Sequence, residues 1–146
     1  MNEYLLDTDI ISILFRTEFP PQPLMERLTA TSPENIWVSI VTVEEFLQGA
    51  FSLIRREETI KRGTQGYALL ASLLEDLSSY QVLPFNEHML QHYYSFPPAV
   101  RRVGSSDCKI AASAIERGLT VITRNLRHYQ QIPDCVCEDW TVEAPF

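Results

Sequence analysis

Positive charge is scarce in this sequence: 12 Lys and Arg stand against 19 Asp and Glu among 146 residues, a formal net charge of −7. Broad-surface binding of nucleic acid rests on neutralising phosphates, so this balance excludes a domain that grips a polyanion by overall basicity. Such a substrate needs a bound cation or a few well-placed basic side chains. Cysteine is also rare. Cys108 stands alone, and Cys135 and Cys137 lie one residue apart with no second pair elsewhere, which is not zinc-ligand spacing. All three read as packing residues. No apolar run approaches the roughly 20 residues that span a bilayer, and the start MNEYLLDTD has an acid where a secretory leader needs a basic flank. A cytoplasmic chain without a membrane partner is expected. Internal repeats, low-complexity stretches and Gly/Ser-rich linkers are missing too, so a single domain over residues 1–146 is expected. No Gly-rich loop follows any strand-like segment, which weighs against a nucleotide-binding protein.

Short alternating segments separated by helical patterns dominate what remains. Strands are expected at Glu3 to Leu6, Ile36 to Ile40, Gln81 to Leu83, Leu119 to Ile122 and Cys135 to Cys137. Helices are expected over IISILF after Asp9, from Pro23 to Thr29 and from Val43 to Ile54, where Val43, Phe46, Leu47, Ala50, Phe51 and Ile54 share one stripe. Further helices should run from Tyr67 to Leu77, from a cap at Asn86 to about Tyr94, and from a cap at Ser106 to Gly118. Strands separated by helices imply parallel pairing through right-handed crossovers, with ligands bound beyond the carboxyl ends of the strands.

Three acids fall at the ends of elements. Asp7 follows the apolar strand YLL directly, although Asp7 or Asp9 would equally suit the cap of the helix that begins at Ile10. Glu45 belongs to Thr42-Val43-Glu44-Glu45, which also fits a capping box, and periodicity does not decide between Glu44 and Glu45. Asp107 precedes Ile110, Ala111 and Ala114 at helical spacing, which puts a carboxylate on an apolar face. A helix N-terminus or a metal would be its partner there. Hard oxygen donors without Cys or His suit Mg²⁺ or Mn²⁺, which would polarise a phosphoryl oxygen and activate water. Thr123-Arg124-Asn125 adds polar groups at the end of the fourth strand.

LLDTDIIS, SIVTVEEFLQG, GSSDCKIAASAIERGLTVITRN and IPDCVCEDW, in this order, resemble the PIN domain, specifically the VapC-type toxin ribonucleases. The resemblance covers nearly the whole chain. It implies an α/β, three-layer PIN-like fold with a mostly parallel sheet of four or five strands flanked by helices. It puts the family's acids on Asp7, Glu45 and Asp107 as metal ligands and catalytic residues, preferring Glu45 to Glu44 because Glu45 stands four residues before Gly49. Its last polar turn falls on Thr123, Arg124 and Asn125. Similar sequences often carry a fourth acid at the position of Asn125 or three residues later, where this chain has Asn125 and His128. Asn125 joins the catalytic candidates as a neutral ligand, a second metal is in question, and His128 is expected on the outside of a helical turn.

The resemblance further implies a Mg²⁺- or Mn²⁺-dependent endoribonuclease, an RNA substrate, a cognate antitoxin and a homodimer. Thr8, Arg101, Arg102 and Arg124 flank the acids in sequence and are the candidate substrate contacts. Arg55 and Arg56, in a run mixed with glutamates, read as solvated. Phe15, Phe19, Trp37, Phe51 and Tyr67 are candidates for partner surfaces or for core. The competing expectation is a catalytically weak or inactive PIN-like module that binds RNA or protein.

Overall fold

The computed structural model describes residues 2–56 and 58–144. Five strands form one parallel sheet in the order β3-β2-β1-β4-β5: β1 (Tyr4–Leu6), β2 (Ile36–Ser39), β3 (Gln81–Leu83), β4 (Thr120–Ile122) and β5 (Cys137–Glu138). Both faces are covered, so the central strands carry consecutive apolar residues, Leu5-Leu6, Trp37-Val38 and Val121-Ile122, with polar residues at strand ends and on the edge strands. Leu5 and Val121 face a core completed by Met89, Ile110 and Ala111. Leu6, Val38 and Ile122 face the other core, with Ile10, Ile11, Phe46 and Leu73.

Helices α1 (Thr8–Arg16), α2 (Gln22–Ala30), α3 (Ile40–Arg55) and α4 (Ile60–Leu77) supply the second core. Helices α5 (Glu87–Ser95), α6 (Pro98–Arg101), α7 (Ser105–Arg117) and α8 (Leu126–Gln130) precede or follow β4. This is the three-layer architecture expected above, and among the described residues no helix is long and apolar enough to cross a membrane.

Several expected boundaries move, each for a physical reason. Helix α3 starts at Ile40 rather than Val43, because the Ser39 side chain caps it by accepting from the Val41 amide at 3.0 Å. Thr42 therefore lies inside the helix, buried, and the expected capping box with Glu45 does not form. Helix α4 begins at Ile60, seven residues before Tyr67, since Thr59 accepts from the Arg62 amide. Helix α7 is entered through Gly104, not capped by Ser106: Gly104 has φ 148, a conformation that side chains with Cβ disfavour, and its carbonyl accepts from Cys108 N–H at 3.0 Å. The last strand is Cys137–Glu138 instead of Cys135 to Cys137, although Val121 N–H still donates to the Val136 carbonyl. Helices α6 and α8 are too short to leave a periodic signature.

The order of the strands locates a crevice. From β1 the chain moves outward to β2 and β3, then returns to lay β4 on the other side of β1. The connections therefore diverge between β1 and β4, which opens a gap at their carboxyl ends.

Candidate active site

Asp7 leaves β1 at that gap and is only 3% exposed. It continues the sheet by donating its amide to Ile122 O at 2.9 Å, which fixes the residue between β1 and β4. Its carboxylate caps α1, accepting from Thr8 N–H at 2.8 Å through Oδ1. Two further donors converge on it: the Tyr129 hydroxyl at 2.8 Å from Oδ1 and the Thr123 hydroxyl at 2.9 Å from Oδ2. Capping and site membership, competing readings of the sequence, are thus both met by one side chain. Burial, reinforced by the charges of Asp9 and Asp107, pushes the Asp7 carboxyl up to about 7 against the hydroxyls that hold it down.

Asp9 sits one residue further on. Its Oδ2 accepts from Arg124 N–H at 3.1 Å, whereas its Oδ1 is buried with no hydrogen-bond partner among the described residues. Burial also raises its carboxyl.

Glu45 reaches the gap from the second turn of α3. A hydroxyl relay ties it to the start of α1: the Thr8 hydroxyl donates to Glu45 Oε1 at 2.8 Å and lies 2.9 Å from the Thr42 hydroxyl. Burial raises its carboxyl, with Thr8 opposing and Asp107 and Glu44 adding to the rise. Glu44 points outward and is exposed.

Asp107, in the first turn of α7, is the third acid at the gap, and its charge adds to the rise of both Asp7 and Glu45. Its Oδ2 lies 3.2 Å from His128 Nδ1, which is also 2.9 Å from Asn125 Nδ2. The expectation that His128 lies outside the site is therefore corrected. The turn after β4 is tightened by Asn125 N–H donating to the Thr123 hydroxyl at 2.9 Å, and α8 starts at once, which swings His128 back over Asp107 and buries Tyr129 under Asp7.

The candidate substrate contacts are less uniformly placed. Thr8 is within the site. Arg124 is exposed, with its backbone held by Asp9. Arg102 is exposed at the end of α6, and the Arg101 guanidinium lies 6.0 Å from the Tyr94 ring centroid rather than on the carboxylates. Of the candidate partner-surface aromatics, Phe15 packs on Phe46 and Trp37 donates to Glu3, while Phe19, Phe51 and Tyr67 are exposed.

Sequence reasoning missed Tyr129 altogether and treated Asp9 and Thr42 only as caps. Tyr129 reads as an ordinary core aromatic, and nothing in its spacing tells where its hydroxyl points. Asp9 carried a signal, the pairing with Asp7 at i and i+2, which a helix start usually explains.

The donor chemistry of the gap fits a hard divalent cation: buried carboxylates with raised protonation, one orphaned carboxylate oxygen on Asp9, and no sulfur. Among the described residues no three His, Cys, Asp or Glu side chains already stand together as a ligating group. Mutually repelling anions spread apart, and both oxygens of Asp7 are held by hydroxyls.

This architecture has counterparts. Ribonuclease VapC1 of Haemophilus influenzae strain R2866 is 29% identical over 144 residues, with 94% of this chain and 98% of the relative covered. The tRNA(fMet)-specific endonuclease VapC of Salmonella typhimurium is 28% identical over 144 residues, covering 96% of this chain and 99% of the relative. Among solved structures, VapBC-1 from nontypeable Haemophilus influenzae aligns at a TM-score of 0.73 and 27% identity, over 95% of this chain and 98% of its own. The PIN domain model matches residues 4–132, from the first strand to beyond α8, and the chain belongs to the PIN-domain family.

Proposed function

We propose that the protein is an endoribonuclease dependent on Mg²⁺ or Mn²⁺, and the toxin of a VapBC-like toxin–antitoxin pair acting in the cytoplasm. The observation that carries this reading is Asp7: a carboxylate buried at the divergence of β1 and β4, pushed up to about 7, and facing the charges of Asp9 and Asp107. A carboxylate buried as deeply as Asp7 and held only by hydroxyls and an amide is costly to keep charged unless a cation or a proton neutralises it. The names of the relatives, ribonuclease and tRNA-specific endonuclease, support RNA as the substrate class.

Asp7, Glu45 and Asp107 would hold the cation, with Asn125 beside them as a neutral oxygen donor. When bound, a divalent cation supplies Lewis-acid polarisation of a phosphoryl oxygen and a more acidic water. The chain's own groups do the positioning. Tyr129 and Thr123 hold the two oxygens of Asp7, and the relay through Thr42 and Thr8 orients Glu45. Arg124, whose amide is bound by Asp9 and whose charge lowers that carboxyl, is a candidate phosphate contact. Homologous structures of VapBC support an antitoxin partner. The exposed apolar side chains of Ile60, Tyr67 and Leu74, seven residues apart along α4, offer one surface for a second chain, whether antitoxin or second copy.

Purified protein with Mg²⁺ or Mn²⁺ is expected to cut structured RNA, while Asp7→Asn and Asp107→Asn are expected to be inactive. Full cutting by either variant would sink the mechanism. A second reading, an inactive PIN-like binding module, draws on the contact of His128 with Asp107 where similar sequences carry an acid. Calorimetry separates the two: no Mg²⁺ or Mn²⁺ binding dependent on Asp7 and Asp107 favours the binding module.

A further inference from the structure

Beside Asp107, the flank built by α5, α6 and the start of α7 has a different chemistry. Tyr94 is 63% exposed, and its ring stands edge-on to Tyr93 with centroids 5.2 Å apart. Arg101 lies 6.0 Å from the Tyr94 centroid and Lys109 5.6 Å from the Tyr93 centroid. The Tyr93 hydroxyl is 3.5 Å from Ser105 Oγ, two residues before Asp107, so the aromatic pair is joined directly to the turn that carries the acid. Three of the chain's 12 basic residues, Arg101, Arg102 and Lys109, fall in this short stretch. Among the described residues none of them forms an ion pair, and Arg101 Nε is buried without a partner.

In a chain of net charge −7, an exposed ring flanked by uncommitted cations is a local exception to the acidic surface. Aromatic faces with nearby guanidinium groups suit bases that are unstacked from a helix, and phosphates suit the cations. Duplex RNA keeps its bases stacked and hides their faces, so such a ring selects unpaired nucleotides. The apolar residues of α4 differ in this respect: the neighbouring Arg62 is paired with Glu58, and Glu75 and Asp76 follow on the same helix.

We propose that Tyr94 is a stacking platform for an unpaired base of the RNA substrate, with Arg101, Arg102 and Lys109 binding the adjoining phosphates and leading the strand to Asp107. This rests on the nuclease reading above and adds to it the substrate form, a single-stranded loop or end.

The test uses the full chain carrying Asp7→Asn, so that RNA is bound and not cut, in chelator. Fluorescence anisotropy would follow a labelled RNA hairpin with an unpaired loop and the same sequence as a full duplex. Tyr94→Ala is expected to weaken hairpin binding about ten-fold with the salt slope unchanged, and Tyr94→Trp to retain it. Arg102→Ala is expected to lower the slope of log K against log salt by about 0.7, the loss of one single-strand phosphate contact. The platform is overturned if Tyr94→Ala binds the hairpin like its parent, if hairpin and duplex are weakened alike, or if the parent binds no hairpin. It is also overturned if Tyr94→Ala alters only the sedimentation of the protein, which would assign the ring to a protein interface. The nuclease reading fails separately, if the native chain with Mg²⁺ or Mn²⁺ leaves the bound hairpin intact.

Discussion

Asp7 shows how much a single buried group sets at this site. Its carboxyl is pushed from 3.8 to about 7, mainly by burial and then by Asp9, so holding it charged costs on the order of 4 kcal/mol. Between these two values the folded chain binds more proton than the unfolded one, and stability therefore falls as pH rises across the window. Below about pH 4 the carboxyl is neutral in both states and the cost vanishes. Asp7→Asn is accordingly expected to stabilise the cation-free protein near pH 8, by about 1 to 3 kcal/mol after the weaker hydrogen bonds from Tyr129 and Thr123 are allowed for. The gain should disappear near pH 4. Thermal denaturation of both proteins across this range checks it, and an equal difference at both ends would contradict the role of charge.

Among the elements, α3 and α4 approach each other closely at Gly66. Gly66 is buried, and a Cβ there would meet Ile54 Cγ1 and Ile54 N at 2.7 Å and Ile54 Cα at 3.0 Å. Backbone atoms cannot swing aside like a side-chain tip, so the helices must separate. Gly66→Ala is expected to destabilise by about 1 to 3 kcal/mol despite the better helix propensity of Ala. At about 2 to 4 °C per kcal/mol the loss is visible in a melting curve. Because Glu45 is carried by α3 and held by Thr8 on α1, a displaced α3 should also reduce cleavage more than the melting shift alone accounts for.

For the whole molecule, the acid-lined gap and the net charge of −7 make cation binding the property on which the proposed nuclease reading is tested. A divalent ion that binds the folded chain alone stabilises it by mass action, about 2.7 kcal/mol at one hundred times its dissociation constant. Added Mg²⁺ or Mn²⁺ at pH 8 should therefore raise the melting temperature. Chelator should reverse the rise, and Asp107→Asn should reduce it. Monovalent salt at the same ionic strength should not substitute, since it screens charge without occupying a site. A rise of the same size in Asp107→Asn would remove Asp107 from the cation site.

The layered α/β class was legible in the sequence, since short apolar runs report strands covered on both faces and an apolar period of 3.6 residues reports the buried face of a helix. Strand cores such as YLL and WVS and the amphipathic stripe of α3 carry that signal locally. Asp7 and Asp107 stood out as candidates through their positions after a strand and at a helix start, whereas Glu45 was preferred to Glu44 only through the resemblance to the PIN domain. Helix entries were less legible: Ser39 caps α3 with its hydroxyl and Gly104 opens α7 with a positive φ, roles that Thr42 and Ser106 imitate in composition. Only the tertiary structure decided that β1 and β4 lie side by side and open the gap, because strand order depends on packing between segments more than one hundred residues apart. It also decided that Tyr129 bonds Asp7 and that His128 turns inward to Asp107. Both follow from the short helix α8 folding back over the sheet edge, a contact for which no local pattern codes.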